Sequence, residues 1–313
     1  MDLSNIKVLV FDLDGTLFHY GKQITPSVKE KIIEYQKKGY IVGIATGRFF
    51  SELDEIIKDL MLREYKGFVA CANGLEVHDF YDNRTRMFPR IPSKEVKDII
   101  EIAKRYHLVS YFWEDQHYVM FLPKILKKGQ AILKKIYRNP VHHKLAPLVL
   151  TEIRTKIKTK SNLYDKVCFV GRKGDIARFE KDILNRYPNY RFYPVDDRST
   201  ELVVKQVGKK EAVEWIVRKH NYTLDNVLAF GDSGNDLPLL LASKVGIAMK
   251  NAQPHVKKAV QYITKYKNSE NGVFHHLELL PLRSIVSVDQ SGTDKQEDSG
   301  NDESGTNQLH DKG

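Results

Sequence analysis

The sequence predicts an α/β fold built on a parallel sheet, and three observations carry that expectation. Short apolar, β-rich runs each end in a loop of Asp, Thr, Gly or Asn; helical patterns alternate with these runs; and the alternation breaks off near residue 82 and resumes near 196. Continuous apolar runs too short for a helix are what strands covered on both faces look like. Strand, helix, strand in that order implies right-handed βαβ units. The expectation is a Rossmann-like three-layer parallel-sheet core with an inserted α+β domain.

The first run is residues 6–11, which ends in an acidic, glycine-containing loop. Thr25 is a candidate N-cap with Pro26 at the first helical position, and Val28, Ile32, Ile33 and Tyr35 recur at helical spacing up to Gly39. A second strand at 40–45 stops at Thr46, Gly47 and Arg48, a helix covers about 51–64, and a third strand at 67–72 stops at Asn73 and Gly74. From about Asp82 the texture changes to mixed strand and helix signals with many aromatics and lysines. Within it 164–170 reads as a strand and 175–187 as a helix. Residues 83–195 are therefore assigned to the inserted domain and 1–82 with 196–282 to the core. Parallel-sheet texture returns at 201–204, followed by a helix from Lys209 to about His220. A strand at 226–230 runs into Gly231, Asp232, Ser233, Gly234, Asn235 and Asp236, ahead of a helix at 237–243 and a strand at 245–249. Residues 283–313 are polar and nearly devoid of apolar side chains, so they are predicted to be a disordered acidic tail.

A chain of 313 residues, 42% hydrophobic, can bury a large core and is long enough for two domains. No basic segment followed by an apolar stretch opens it, and no run approaches the ~18 apolar residues that a membrane span needs. Two distant cysteines, Cys71 and Cys168, give no disulfide framework, so a reducing, cytoplasmic setting is expected. The formal charge of +10 is unevenly spread. Between Lys124 and Lys160 only Glu152 opposes a run of lysines and arginines, whereas the tail is acidic. The basic stretch suits the solvated face of an amphipathic helix, or a funnel for an anionic substrate. No recognisable nucleic-acid module accompanies it.

In an open parallel sheet, ligands bind beyond the carboxyl ends of the strands. That rule gathers Asp12 and Asp14, Thr46, and Asp232 and Asp236, although more than 200 residues separate the first from the last. Clustered carboxylates repel unless a cation lies among them, and a hard ion that prefers oxygen, such as Mg2+, resolves the conflict. Each of these residues also has a plainer use: Asp-Gly makes turns, Thr46 caps a following helix, and Asp-Ser-Gly-Asn-Asp suits a turn and helix start.

Asp12-Leu13-Asp14-Gly15-Thr16-Leu17, Ala45-Thr46-Gly47-Arg48, Lys209 and Gly231-Asp232-Ser233-Gly234-Asn235-Asp236 together resemble the four motifs of haloacid dehalogenase phosphatases. The Asn73-Gly74 pair, the insertion after the second motif and Ala248-Met249-Lys250-Asn251-Ala252 resemble the Cof-type branch, whose large cap lies between the second and third motifs. The resemblance spans about residues 5–282. It implies that Asp12 is a nucleophile forming an aspartyl phosphate, that Asp14 is a general acid and base, and that Thr46 and Lys209 bind the phosphoryl group. It further implies a Mg2+ ion held by Asp12, the Asp14 backbone carbonyl and Asp232 with Asp236 in support, and a phosphate site that includes Gly15, Gly47, Asn235 and Asn251. The family pattern has lysine then glycine where this chain has Gly208-Lys209-Lys210-Glu211, so either lysine satisfies it. Asn251 is equally an ordinary turn residue. The implied substrate is a small phosphorylated metabolite, a sugar phosphate or a phosphorylated cofactor. Two rivals remain: a phosphosugar mutase using the same aspartyl phosphate, and a non-catalytic protein that holds a polyanion on its basic cap.

Overall fold

The computed structural model describes residue 3 and residues 5–18, 23–114, 117–122, 151–154 and 160–280. The chain starts with β1 (Val8–Phe11), α1 (Pro26–Lys37), β2 (Ile41–Ala45), α2 (Asp54–Asp59), β3 (Phe68–Cys71), β4 (Glu76–Asp79) and β5 (Arg84–Met87). It continues through β6 (Ile91–Pro92), α3 (Ser93–Arg105), β7 (Val109–Glu114), β8 (His117–Phe121), β9 (Thr151–Arg154), β10 (Leu163–Tyr164), β11 (Val167–Val170), α4 (Lys173–Arg186), β12 (Tyr190–Asp196) and β13 (Ser199–Val204). The described chain closes with α5 (Lys209–Lys219), β14 (Val227–Gly231), α6 (Leu237–Ala242), β15 (Val245–Ala248), α7 (Pro254–Ala259), β16 (Tyr262–Ile263) and α8 (Gly272–Leu277).

The central sheet has the order β16-β15-β14-β1-β2-β3-β4-β5, parallel from β16 to β3 and closed at one edge by the antiparallel β4–β5 hairpin. β1, β3 and β14 are buried at every position, as expected of strands covered on both faces. Phe11 lies in register with Phe230 on one side and Ile44 on the other. That register is what matters for the site, because the loops after β1, β2 and β14 begin side by side. Val28, Ile32 and Tyr35 form the buried stripe of α1, and Ala212, Val213, Ile216 and Val217 that of α5.

A second sheet, β12-β13-β11-β7-β8-β9, is antiparallel except for β8 with β9. Its core is separate from that of the central sheet and includes Val96, Ile99 and Ala103 of α3, Phe112, Phe169, and Phe179 of α4. A short antiparallel pair, β6 with β10, stands beside it.

Three expectations need correcting. Residues 201–204 do not resume the parallel sheet: they belong to β13, antiparallel to β11 and β12 in the second sheet. Burial alternates at its start, with Thr200 and Leu202 buried and Ser199 and Glu201 half-buried, and Glu201 uses its exposure to pair with Lys166 at 2.6 Å. The central sheet extends past 82 to Met87, because β5 pairs with β4. The helix expected over 51–64 is a single turn at Phe50–Glu52 followed by the six residues of α2, and the backbone leaves helical geometry at Met61, φ +52°. Most of the basic stretch 124–160 and all of the tail 283–313 lie outside the described residues.

Candidate active site

Asp12 is the first residue beyond β1 and is buried, with its backbone N–H donating to Phe230 O at 3.1 Å. Lys209 opens α5, and its side chain is only 1% exposed. Nζ donates to Asp12 Oδ1 and to Asp236 Oδ1, each at 2.6 Å. A lysine is tolerated at such depth because two carboxylates replace its water shell. Lys210, the other candidate, lies at the surface beside Glu214 at 3.5 Å. Asp236 spends its second oxygen on its own loop, accepting from the backbone N–H groups of Asp232 and Ser233 at 3.0 Å each. Glycines allow the loops to meet. Gly15 has φ +88°, and a Cβ there would stand 2.4 Å from Asp232 Oδ2.

The electrostatics follow from burial. The Asp12 carboxyl is pushed up to about 7, by burial first, with Lys209 offsetting part of the rise and Asp236 adding to it. Asp232 is pushed up to about 8 by burial and by the charges of Asp12 and Asp236. Burial works against the Lys209 ammonium, but Asp12 and Asp236 outweigh it and hold its pKa above the usual lysine value.

Thr46 follows β2 and is buried; its backbone accepts from Asn73 N at 2.9 Å, and Oγ1 accepts from Arg48 N at 3.2 Å, which leaves the hydroxyl proton available to donate. Asn73 itself is in the left-handed region, φ +57°, and its Oδ1 accepts from Asn235 Nδ2 at 2.8 Å. A Cβ on Gly47 would come within 3.1 Å of that same oxygen. Asn251 donates through Nδ2 to Gly15 O at 2.7 Å and accepts from Asn268 N at 2.9 Å, so it ties the first loop to the chain after β16. Asp14 stands apart from this buried group. Its side chain is 54% exposed and held in a fork by Arg48, Nε to Oδ2 and Nη2 to Oδ1, both at 2.7 Å.

The haloacid dehalogenase-like hydrolase family model matches residues 9–277. The chain belongs to the haloacid dehalogenase-like hydrolases. Among curated relatives, the 5-amino-6-(5-phospho-D-ribitylamino)uracil phosphatase YcsE of Bacillus subtilis is 25% identical over 271 residues, covering 86% of this chain and 93% of its own. A solved haloacid dehalogenase-like hydrolase from Bacteroides thetaiotaomicron is 26% identical, with a TM-score of 0.63 over 87% of this chain and 98% of its own. A solved subclass IIB sugar phosphatase superposes with a TM-score of 0.66 at 23% identity over 87% of this chain and 98% of its own, a likeness of fold. The reaction class is phosphoric monoester hydrolysis.

The hydrolase's carboxylates fit a hard divalent cation. Asp12, Asp232 and Asp236 bring carboxylate oxygens within 4.8 Å of one another, and Asp232 Oδ1 is buried with no hydrogen-bond partner. Lys209 alone cannot neutralise three clustered carboxylates, two of them buried and the third half-buried. Since both oxygens of Asp236 are already engaged, Asp12 and Asp232 are the side chains with capacity to spare.

A cavity of about 290 Å³ adjoins this group. Asp14, Gly47, Arg48 and Asn73 line it from the central sheet, and Phe112, Trp113, Asp165 and Lys166 from the second sheet and its approach. Of these residues only Asp14 and Gly47 had a site role from sequence. Arg48 was visible in its motif, but nothing local pairs it with Asp14, 34 residues earlier. Asn73 was visible as half of an Asn-Gly turn, and its partner Asn235 is 162 residues away.

Among the described residues, no helix is long and apolar enough to cross a membrane.

Proposed function

We propose that this hydrolase is a Mg2+-dependent phosphatase that acts on a small organic phosphate, a sugar phosphate or a phosphorylated cofactor, through an aspartyl phosphate on Asp12. One observation carries the reading: Asp12, Lys209, Asp232 and Asp236 meet at the carboxyl ends of parallel strands, beside a cavity that Asp14 also faces. The curated relative named for a ribitylaminouracil phosphate and the solved sugar phosphatase support the substrate class. The second sheet with its helices, from β6 to β13, serves as the cap, which closes over the leaving group and excludes water.

Asp12 attacks phosphorus through a carboxylate oxygen as the bond from phosphorus to the leaving oxygen breaks. Asp14 gives its proton to that oxygen, then takes one from the water that attacks the aspartyl phosphate. The second displacement breaks the bond between phosphorus and Asp12 and releases inorganic phosphate. Arg48 orients Asp14 on the cavity side, and its fork must be shared or released when Asp14 carries a proton. Thr46 donates its hydroxyl to a phosphoryl oxygen, with Gly15 and Gly47 leaving room for the phosphate, while Lys209 offsets charge on the phosphate and Asp12. Asn235 and Asn251 brace the loops around it. Asp12, Asp232 and the Asp14 carbonyl would hold the Mg2+, with Asp236 supporting them. The bound ion supplies charge neutralisation to the phosphoryl oxygens.

Asp12→Asn tests the reading. The variant should keep its far-UV spectrum and lose Mg2+-dependent phosphate release on every substrate that the wild type turns over. Undiminished turnover would end the assignment of Asp12 as nucleophile.

A further inference from the structure

We propose a second metal site on the β3–β4 hairpin, formed by Cys71, Glu76 and His78 and suited to one thiophilic divalent ion, Zn2+. Cys71 pairs directly with Glu76 across the hairpin, and His78 lies two residues beyond Glu76, so all three side chains leave the same face of the sheet. Their donor atoms lie within 4.8 Å of one another. Cys71 Sγ is 3.7 Å from Glu76 Oε2. A tetrahedral Zn2+ with its usual bonds would set sulfur and oxygen about 3.6 Å apart. His78 Nε2 lies 2.8 Å from Glu76 Oε1, an ion-pair distance that metal binding would open as both atoms turn to the ion.

The imidazole is already held as a ligand would be. Thr85 Oγ1, directly across the β4–β5 ladder, lies 3.0 Å from His78 Nδ1. A proton kept at Nδ1 for Thr85 leaves the Nε2 lone pair for the cluster, the arrangement by which an outer hydrogen bond fixes a metal-binding tautomer. Phe50 stacks on the ring at 3.5 Å between centroids and 13° between planes, which fixes its orientation. Glu76, 26% exposed, is the opening to solvent.

Sulfur, nitrogen and one carboxylate oxygen select Zn2+ over Mg2+, which prefers oxygen throughout. The site is therefore chemically distinct from the all-carboxylate group at Asp12. Binding exchanges the Cys71 S–H bond for an S–Zn bond and releases that proton to solvent. A thiolate, a carboxylate and a dication then sum to zero charge, which suits a buried position. The fourth tetrahedral position is left for water. The ion would clamp the end of β3 to β4, one residue before Ala72 and Asn73 at the cavity wall.

Co2+ serves as the probe, titrated into the full chain with Mg2+ in excess. Wild type and Cys168→Ser should each bind one Co2+ with a thiolate-to-cobalt charge-transfer band that Zn2+ displaces. Cys71→Ser should show no band, and His78→Ala should bind Co2+ at least about tenfold more weakly. Far-UV spectra of the variants separate loss of the site from loss of the fold, and His78→Ala decides the matter if Cys71→Ser does not fold. Absence of a band in wild type, a band that survives Cys71→Ser, or a band that disappears in Cys168→Ser would overturn the proposal.

Discussion

At the scale of single residues, the site is governed by an excess of negative charge. Asp12, Asp232 and Asp236 cluster around one ammonium, Lys209, which pairs with the buried Asp12 and Asp236, while Asp232 is half-buried. The ordinary carboxyl value of 3.8 rises to about 7 at Asp12 and about 8 at Asp232. The sign of the consequence is fixed by linkage. Both carboxyls hold protons in the folded chain that the unfolded chain has already released, so stability of the metal-free protein falls as pH rises from about 4 to about 8. A cation competing for the same oxygens must displace those protons, and it binds more tightly as pH passes through about 7 to 8. The rise in melting temperature on adding Mg2+ should therefore grow between about pH 6 and pH 8, as scanning fluorimetry would record. A rise of the same size at both ends would mean that the carboxylates are already ionised at the lower pH. Lys209 and Lys210 show what a sequence conceals at this scale: adjacent and identical, they differ in that one points at two carboxylates contributed by distant loops.

At the scale of elements, the turn between β3 and β4 does more than reverse the chain. Ala72, Asn73 and Gly74 are consecutive residues with φ of +48°, +57° and +86°. Ala72 would ordinarily avoid that region, which asparagine tolerates and glycine favours, and the turn is held by Ala72 N donating to Arg48 O at 2.7 Å and Asn73 N donating to Thr46 O. Gly74 completes the device, since a Cβ there would stand 2.2 Å from Gly208 O, immediately before Lys209. Gly74→Ala should displace the start of α5, cost about 1–3 kcal/mol and lower kcat by at least about tenfold. The Mg2+ concentration giving half-maximal rate should barely move, because Lys209 and not the metal carboxylates is displaced. Gly174→Ala, where nothing lies within 4 Å, is the control and should match wild type. Wild-type kcat in Gly74→Ala would show that α5 is not positioned from this turn. The parallel strands and the loops ending them were legible from short apolar runs and their punctuation. β13 was not, because a four-residue apolar segment looks alike in either sheet and its place is decided by β11 and β12.

At the scale of the whole molecule, the proposed function assigns the chemistry and the choice of substrate to different parts of the chain. The central sheet supplies Asp12, Asp14, Thr46, Lys209 and Asp232, while the wall opposite Arg48 and Asn73 comes from the second sheet through Phe112, Trp113 and Lys166. The first group was legible in sequence because phosphoryl transfer demands particular atoms at the ends of particular strands. The second was not, since a leaving group can be recognised by many combinations of aromatic and charged side chains. Trp113 lies 6.2 Å from Phe49 between ring centroids, and both line the cavity, so one aromatic surface spans from the loop after β2 to β7. If the leaving group occupies this cavity, one large enough to reach Trp113 would touch it, whereas acetyl phosphate would not. Trp113→Ala should lower kcat/KM about tenfold to hundredfold for the best substrate of a metabolite screen, the effect of losing one exposed aromatic surface that the leaving group would cover. Its rate on acetyl phosphate should stay within about threefold of wild type, because no atom that meets the phosphoryl group has changed. Equal losses on both substrates would mean that Trp113 shapes the catalytic loops and not the leaving-group pocket. The division of labour between the two sheets would then have to be redrawn.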